Sequence, residues 1–315
     1  MVLNFRQDVL SLAVMTQFTI VTFYKFVELV DFAERRAPLK AFCVERGIRG
    51  SILLAPEGIN ATVSGEETAV NQLLAHLRSD PAFADLEHKT SYSDFNPFRR
   101  MKVRLKREIV NMQVPNVDPR EQVGTYVAPE DWNELISDPD VLVIDTRNDF
   151  EVKIGSFVGA VNPNTKSFHE FPDYVQTELD DKKHKKVAMF CTGGIRCEKA
   201  TSFMRAQGFE QVFHLQGGIL KYLEDVPAEE SLWQGECFVF DGRVTVDQHL
   251  QKGTAEQCPA CQQMLTPEER EQETYQEGVC CPYCYDRLDP ERKALLMKRQ
   301  RQREIELIRT QRQAN

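Results

Sequence analysis

Apolar residues recur with two different spacings between residues 16 and 110. Runs rich in β-branched and aromatic residues predict strands, whereas apolar residues three or four positions apart predict helices. In chain order, the pattern predicts a strand over residues 18–24, a helix over 29–46, strands over 51–55 and 59–63, a helix over 68–77 and a strand over 102–106. The order βαββαβ indicates a ferredoxin-like, or acylphosphatase-like, α+β sandwich. Residues 1–15 are taken as a leader before this domain.

A different pattern follows residue 130. Short continuous apolar runs at residues 141–145, 187–190 and 212–215 are typical of strands buried in a parallel sheet, and helical patterns separate them. Strands that alternate with helices predict βαβ units, and therefore an α/β domain over residues 131–228. The prolines of residues 111–130 favour extended structure and turns, which predicts a linker there.

Residues 191–197 lie between a predicted strand and a predicted helix. The helix N-terminus offers unpaired N–H groups and a positive dipole, which favour the thiolate form of Cys191. Gly193 and Gly194 allow the loop to turn its N–H groups inward, and Arg196 adds a fixed positive charge. We expect Cys191 and Arg196 to be catalytic. The remaining loop residues are expected to support them: Thr192, Gly193, Gly194, Ile195 and Cys197.

The number of residues between Cys191 and Arg196 indicates which group the loop can hold. Arg196 lies five positions after Cys191, whereas protein-tyrosine phosphatases use one residue more to enclose a phosphate. The shorter loop favours a sulfur atom carried on the cysteine over a phosphoryl group. The alternative is an inert core cysteine, because free cysteine is among the most buried residue types. Such a cysteine would not need two glycines and an arginine directly after it.

Residues 131–228 resemble the rhodanese family. The resemblance is carried by Asp145 and Arg147 at a strand end, a Gly-x-x-x-Gly-Ala turn from Gly155, the cysteine loop, and a Leu-x-Gly-Gly segment ending at Gly218. It implies a rhodanese fold, and we expect Asp145 and Arg147 to brace the cysteine loop. Two framework positions depart from the common pattern. They are Ser156, where histidine is usual, and Tyr222, where tryptophan is frequent.

Composition sets limits on these interpretations. The chain has 315 residues, 42% of them hydrophobic, which is enough for two or three domains. Its net charge of −9 argues against general polyanion binding. No apolar run reaches the roughly 18 residues of a membrane span, and the N-terminus does not read as a secretory signal. A nucleophilic cysteine and paired Cys-x-x-Cys motifs favour a reducing, cytoplasmic setting.

Four cysteines after the α/β domain have metal-ligand spacing. Cys258 with Cys261 and Cys281 with Cys284 form two Cys-x-x-Cys motifs with 19 residues between them. Two such motifs can complete a tetrahedral Zn²⁺ site. A metal there would stabilise region 229–290, which has few apolar residues to form a core. We expect a structural site; the alternative is four free or oxidised cysteines. Residues 291–315 predict a basic helical tail that either supports RNA binding or is simply solvated.

A basic segment near residue 100 suggests a surface for nucleic acid. Aromatic residues precede it at Tyr92, Phe95 and Phe98, and a basic stripe beside aromatics can contact a phosphate backbone and stack bases. The alternative is the ordinary charged face of an edge strand. The candidate RNA-binding residues are Arg99, Arg100, Lys102, Arg104 and Lys106.

The full layout resembles a narrower family, the bacterial tRNA uridine(34) hydroxylases. The segments that carry this resemblance are residues 54–60 (Leu-Ala-Pro-Glu-Gly-Ile-Asn), 95–98 (Phe-Asn-Pro-Phe), 191–200 (the cysteine loop extended by Glu-Lys-Ala) and 258–261. The resemblance implies formation of 5-hydroxyuridine at the wobble position of tRNA, with molecular oxygen as substrate. It also implies that Cys191 forms a persulfide. The expected partner is the anticodon region of tRNA, and no nucleotide or flavin motif is seen.

Two other functions stay open at this point. The first is a sulfurtransferase that moves sulfur through a persulfide on Cys191. The second is a non-catalytic tRNA-binding protein whose rhodanese domain has lost its activity. The intact cysteine loop argues against this second function. Cys197 has two readings as well, as a resolving thiol or, preferably, as a helix-capping residue.

Overall fold

The computed structural model describes residues 17–182 and 185–314, so the predicted leader lies outside the described residues. The N-terminal unit is one five-stranded sheet with two helices that share its apolar core. Its elements are β1 (Phe18–Phe26), α1 (Phe32–Glu45), β2 (Arg49–Ala55), β3 (Gly58–Gly65), α2 (Glu67–Arg78), β4 (Lys89–Ser93) and β5 (Met101–Leu105). The strand order β4-β1-β3-β2-β5 contains the predicted ferredoxin-like arrangement.

The predicted strand over residues 102–106 is present as β5, but the strand that completes the βαββαβ core was not predicted. The last strand of the βαββαβ core is β4, whereas the basic strand β5 is an additional edge strand parallel to β2. The sequence of β4 is Lys-Thr-Ser-Tyr-Ser and none of its residues is fully buried. It therefore lacks the apolar alternation by which strands are recognised.

The central unit is a parallel four-stranded sheet in the order β6-β10-β9-β7, with helices on both faces. One face packs against α5 and α6 and the other against α3 and α7. Its elements are β6 (Thr125–Val127), α3 (Pro129–Ser137), β7 (Val141–Asp145), α4 (Asp149–Val152), β8 (Gly155–Phe157), α5 (Phe171–Glu178), β9 (Lys186–Phe190), α6 (Ile195–Ala206), β10 (Gln211–Leu215) and α7 (Gly218–Asp225).

The predicted linker is packed rather than free. Strand β6 lies inside it and pairs with β10 at the edge of the central sheet. Met112 is buried in the core of the central unit, and Val110, Val114 and Val117 pack against that core. The apolar side chains at the start of this segment are therefore packed on the central unit, which a prediction based on its prolines does not reveal.

The C-terminal region begins on the central unit and ends in a long helix. Strand β11 pairs with β8, and Trp233 packs edge-on against Phe157 in the second core. The elements are β11 (Trp233–Gly235), β12 (Cys237–Phe238), β13 (Thr245–Val246), β14 (Glu256–Gln257), β15 (Met264–Leu265), α8 (Pro267–Arg270) and α9 (Pro290–Ala314). Among the described residues, no helix is long and apolar enough to cross a lipid bilayer.

A buried lysine joins the N-terminal unit to the central one. The Lys199 ammonium on α6 donates to both carboxylate oxygens of Glu57, at 3.0 and 2.8 Å, and to Glu108 at 2.6 Å. It also donates to the carbonyl of Val110 at 3.1 Å. Glu57 lies in the turn between β2 and β3, so one cation holds that turn and the segment just before the predicted linker against the helix of the cysteine loop.

We expect Lys199→Met to destabilise this junction. Its side chain is only 2% exposed, and removing one partner of a buried ion pair leaves the other charge uncompensated, which costs about 3–5 kcal/mol. Because the two glutamates are partly exposed, a loss of about 3 kcal/mol in the free energy of unfolding is expected from urea denaturation. The matched control is Lys221→Met, whose exposed ion pairs should contribute under about 1 kcal/mol. Equal losses in the two variants would contradict a stabilising role for the Lys199 ion pairs with Glu57 and Glu108.

Candidate active site

The cysteine loop closes over its own sulfur. Strand β9 ends at Phe190 and α6 begins at Ile195, with Gly194 at the helix N-cap in the left-handed region at φ +100°. The N–H of Gly194 donates to the sulfur of Cys191 at 3.1 Å. The first turn of α7 holds the other side of the loop, because the N–H of Ile219 donates to the Cys191 carbonyl at 2.9 Å. A side chain at Gly194 would be strained, and its Cβ would lie 2.8 Å from the Tyr24 hydroxyl.

Several groups stabilise the thiolate at this position. Burial alone would raise the pKa of Cys191. A hydrogen bond from the Cys197 thiol, the positive charge of Arg196 and the amide N–H groups of Cys197 and Gly194 together outweigh burial and lower the pKa of Cys191 to about 5. Burial and the neighbouring thiolate raise the pKa of Cys197 well above its usual value. Cys191 is therefore the ionised member of the pair and Cys197 its hydrogen-bond donor.

Arg196 does not present its guanidinium to an incoming group. It donates to both carboxylate oxygens of Glu151, at 2.7 and 2.8 Å, and to the Thr192 hydroxyl at 3.3 Å. Both members of the ion pair are buried. The guanidinium therefore fixes the loop to α4 and acts on Cys191 through its charge, and the expected catalytic role of Arg196 stays a prediction. The sequence indicated this partner of Arg196 only weakly, because Glu151 is simply an acidic residue shortly after the Asp145–Arg147 strand end.

Asp145 and Arg147 also differ from expectation. They form a fully buried bidentate ion pair, in which Arg147 donates to the Gly155 carbonyl and Asp145 accepts from the Ser156 hydroxyl. The pair therefore braces β8 rather than the cysteine loop. Thr146, between them, is the residue that reaches the loop. Its hydroxyl donates to the Phe190 carbonyl at 3.0 Å and lies 3.5 Å from the Cys197 sulfur.

The N-terminal sheet covers the loop with residues that the sequence pattern did not indicate. The Lys89 ammonium donates to the Gly193 carbonyl at 3.0 Å, and the Tyr24 hydroxyl donates to Glu198 at 2.7 Å. Cys191 itself is 0% exposed. A substrate that reacts with the thiolate must therefore displace part of this cover. Tyr24 and Lys89 stand in ordinary strand positions, so only the packing of two domains reveals them.

The basic strand lies away from this site. Strand β5 is at the opposite edge of the sheet from β4, which carries Lys89. Four inter-strand steps separate these edges by roughly 19 Å at about 4.8 Å per step. Of the five candidate residues, Lys102 is half-buried and the other four are exposed: Arg99, Arg100, Arg104 and Lys106. They therefore do not line the cysteine site.

The four predicted metal ligands converge. Their sulfur atoms all lie within 4.8 Å of one another, with distances of 3.8 Å from Cys258 to Cys284, 3.5 Å from Cys261 to Cys281 and 3.8 Å from Cys281 to Cys284. Zinc–sulfur bonds of about 2.3 Å in a tetrahedron place sulfurs about 3.8 Å apart, so the cluster fits a metal ion. Cys280 is outside the cluster, since its thiol donates to Gln276.

The parallel sheet and its low-pKa cysteine over a helix N-terminus define a rhodanese-domain protein with an added α+β unit. Two family models match: the UPF0176 acylphosphatase-like domain over residues 18–109 and the rhodanese-like domain over residues 128–225. The chain belongs to the tRNA uridine(34) hydroxylase family. It is 55% identical over 290 residues to the tRNA uridine(34) hydroxylase of a Picosynechococcus species, covering 92% of this chain and 97% of that protein. The family resemblance stated from the sequence and the predicted fold class are both confirmed.

A second curated relative agrees with this family assignment, and a solved structure is similar to the rhodanese part of the chain. The tRNA uridine(34) hydroxylase of Acaryochloris marina is 54% identical over 297 residues, which cover 94% of this chain and 96% of that protein. Among solved structures, a rhodanese-like domain from Anabaena is 18% identical with a TM-score of 0.30, and it covers 35% of this chain and 78% of the domain.

Proposed function

We propose that this protein hydroxylates uridine 34 of tRNA to 5-hydroxyuridine, with molecular oxygen as substrate. The observation that carries the proposal is near full-length similarity to proteins named for this activity in a chain that keeps the cysteine loop intact. In the reaction, C5–OH replaces C5–H of the base. The second oxygen atom leaves as water after taking two electrons and two protons from an external donor.

The chain's own residues have distinct roles in this proposal. Cys191 is the reactive thiolate, with the persulfide that the family resemblance implies as its sulfur-loaded form. Cys197 holds that charge by a hydrogen bond, and its use as a resolving thiol stays a prediction. Arg196 is a positioning residue that reaches Cys191 through the loop and through its charge.

The units of the chain are assigned separate tasks. The acylphosphatase-like domain, predicted as residues 16–110, covers the loop through Tyr24 and Lys89, and the predicted linker 111–130 connects it to residues 131–228, which carry the thiolate. Within the region 229–290, a Zn²⁺ ion on Cys258, Cys261, Cys281 and Cys284 holds the part that does not pack on the central unit. The anticodon region of tRNA is the partner, in the cytoplasm. Its phosphates are expected to contact cations at the surface. These are the exposed Arg99, Arg100, Arg104 and Lys106, the half-buried Lys102 and the basic helix α9.

Deletion of the gene tests this function. We expect 5-hydroxyuridine to disappear from tRNA nucleosides measured by mass spectrometry, and to return when the gene is restored on a plasmid in aerated culture. Restoration without oxygen should fail, because oxygen supplies the inserted atom. Unchanged 5-hydroxyuridine in the deletion strain would refute the assignment.

A sulfurtransferase remains the second candidate, because a low-pKa Cys191 in a Cys-x4-Arg loop also suits sulfur transfer. Purified protein would then form thiocyanate from thiosulfate and cyanide while the tRNA nucleosides of the deletion strain stay unchanged. A non-catalytic tRNA-binding protein would show neither change and would retain tRNA binding.

A further inference from the structure

A cavity of about 400 Å³ lies where the N-terminal sheet meets the central unit. Tyr24, Phe26 and Lys89 line it from β1 and β4, and Tyr126, Glu198 and Gly217 line it from the central unit. Ligand pockets span about 300–1,000 Å³, so its volume suits a nucleotide with part of its backbone. Because both domains form its walls, it exists only in the assembled protein.

The cavity shares a wall with the cysteine loop. Lys89, which lines the cavity, donates to the Gly193 carbonyl at 3.0 Å, and the neighbouring N–H of Gly194 donates to the Cys191 sulfur at 3.1 Å. Glu198 lines it from the first turn of α6, the same turn that carries Cys197. The contact of Lys89 with the Gly193 carbonyl therefore lies between the cavity and the loop, and a substrate that reacts with the thiolate has to displace it.

The lining combines aromatic faces with acidic and basic side chains, of which Glu198 and Lys89 lie next to the cysteine loop. Tyr24, Phe26 and Tyr126 offer rings on which an unstacked base can lie, as single-stranded RNA is commonly held. Glu198 accepts hydrogen bonds from Tyr24 and Tyr126, and a carboxylate has about four lone-pair sites, so acceptor capacity remains. Lys89 has three N–H donors, of which one is used at Gly193.

We propose that this cavity holds the flipped wobble base and that Glu198 and Lys89 select uracil. The proposal rests on the proposed function and specifies how that site recognises its substrate. Uracil presents the N3–H donor next to the O4 acceptor, which match a carboxylate and an ammonium. Cytosine presents the reverse, an N3 acceptor next to an amino donor, so its N3 would face the carboxylate without a proton between them. Unpaired polar groups of this kind are the strongest source of discrimination between similar ligands.

The same orientation directs the reactive carbon. C5 adjoins C4, which bears O4, so a base whose O4 is bound by Lys89 holds C5 close to the ammonium that also contacts Gly193 of the loop. Recognition and reaction then use adjacent atoms of one ring. Extruding a base from a single-stranded loop costs little, which suits position 34 of the anticodon.

Binding of short RNA hairpins tests this selection. Two anticodon stem-loops that differ only in U34 or C34 are titrated by fluorescence anisotropy against the full-length protein. We expect wild type to bind the U34 hairpin at least about tenfold more tightly, and Lys89→Met or Glu198→Gln to reduce this ratio to about threefold or less, as expected when a hydrogen-bond partner in a recognition site is lost. The ratio compares two RNAs on one sample, so partial unfolding of a variant cancels.

Lys40→Met is the matched control, because it removes the same charge from an exposed position on α1 outside the cavity. It should leave the ratio at the wild-type value. Equal affinity of wild type for both hairpins, or full discrimination by both site variants, would overturn the proposal. A wild type that forms 5-hydroxyuridine without discriminating would overturn only the selection, whereas discrimination without 5-hydroxyuridine would support the selection and count against the hydroxylase.

Discussion

Cys191→Ser is expected to eliminate 5-hydroxyuridine from tRNA in a strain that has no other copy of the gene. Serine keeps the shape of the side chain and its contact with the Gly194 N–H, but its hydroxyl does not ionise near neutral pH and cannot form a persulfide. The loss should reach the detection limit of nucleoside mass spectrometry, because burial raises the pKa of Cys197, the other thiol of the loop, well above its usual value and keeps it from acting as the nucleophile.

The control is Cys43→Ala, a second buried cysteine that lies in the N-terminal core and touches no residue of the site. Burial raises its pKa to about 12, so it is a thiol under all working conditions. Cys43→Ala should keep 5-hydroxyuridine at the wild-type level when the variant is folded. Retained modification in Cys191→Ser, with loss in Cys43→Ala, would show that folding rather than the nucleophile limits activity.

The same pair of proteins reports the ionisation of Cys191. The difference in ultraviolet thiolate absorbance between wild type and Cys191→Ser should titrate with a midpoint at pH about 5. Because the folded pKa is lower than the unfolded one, the thiolate stabilises the fold at higher pH, and this stability is lost as pH falls through about 5. Cys197→Ala removes the thiol that donates to the thiolate and should raise the midpoint. A midpoint in the ordinary thiol range in wild type would contradict an activated cysteine.

The cysteine loop and the four-cysteine cluster could be predicted because each needs particular residue types at fixed local spacing. A strand, two glycines and a helix start are sufficient to place Cys191 over the helix N-terminus. The fold classes followed in the same way, from apolar periods that report which face of an element is buried. These features depend on residues close together in the chain, so they can be predicted from one sequence.

Residues that meet across the fold could not be found in this way. Glu151 binds Arg196 from 45 positions away, and Lys89 reaches Gly193 across 104 positions. Polar residues of this kind carry no periodic signal, because their environment is set by how the domains pack. The same reason applies to the basic strand β5. Its charge is evident in the sequence, but its position at the far edge of the sheet follows from strand order.

The largest structural effect is expected from loss of the proposed Zn²⁺ ion in the C-terminal region. The small core there consists mainly of cysteines, joined by Leu265, Val279 and Leu296. Zinc bound by four thiolates contributes about 10–16 kcal/mol in small zinc-stabilised folds, far more than three buried aliphatic side chains can supply. Without metal, the four thiolates would repel one another or take up protons.

Cys281→Ser should therefore release the metal and unfold this region as one unit. Hydrogen exchange is expected to show loss of protection over residues 256–288 and at the base of α9, where Leu296 packs on the cluster, while the central sheet keeps its protection. The matched control is Cys280→Ser, one position away, whose side chain bonds to Gln276 instead of the cluster. Elemental analysis should find about one zinc per chain in wild type and in the control. Wild-type protein that contains no metal, or a Cys281→Ser variant with unchanged exchange, would leave the cluster as four ordinary thiols.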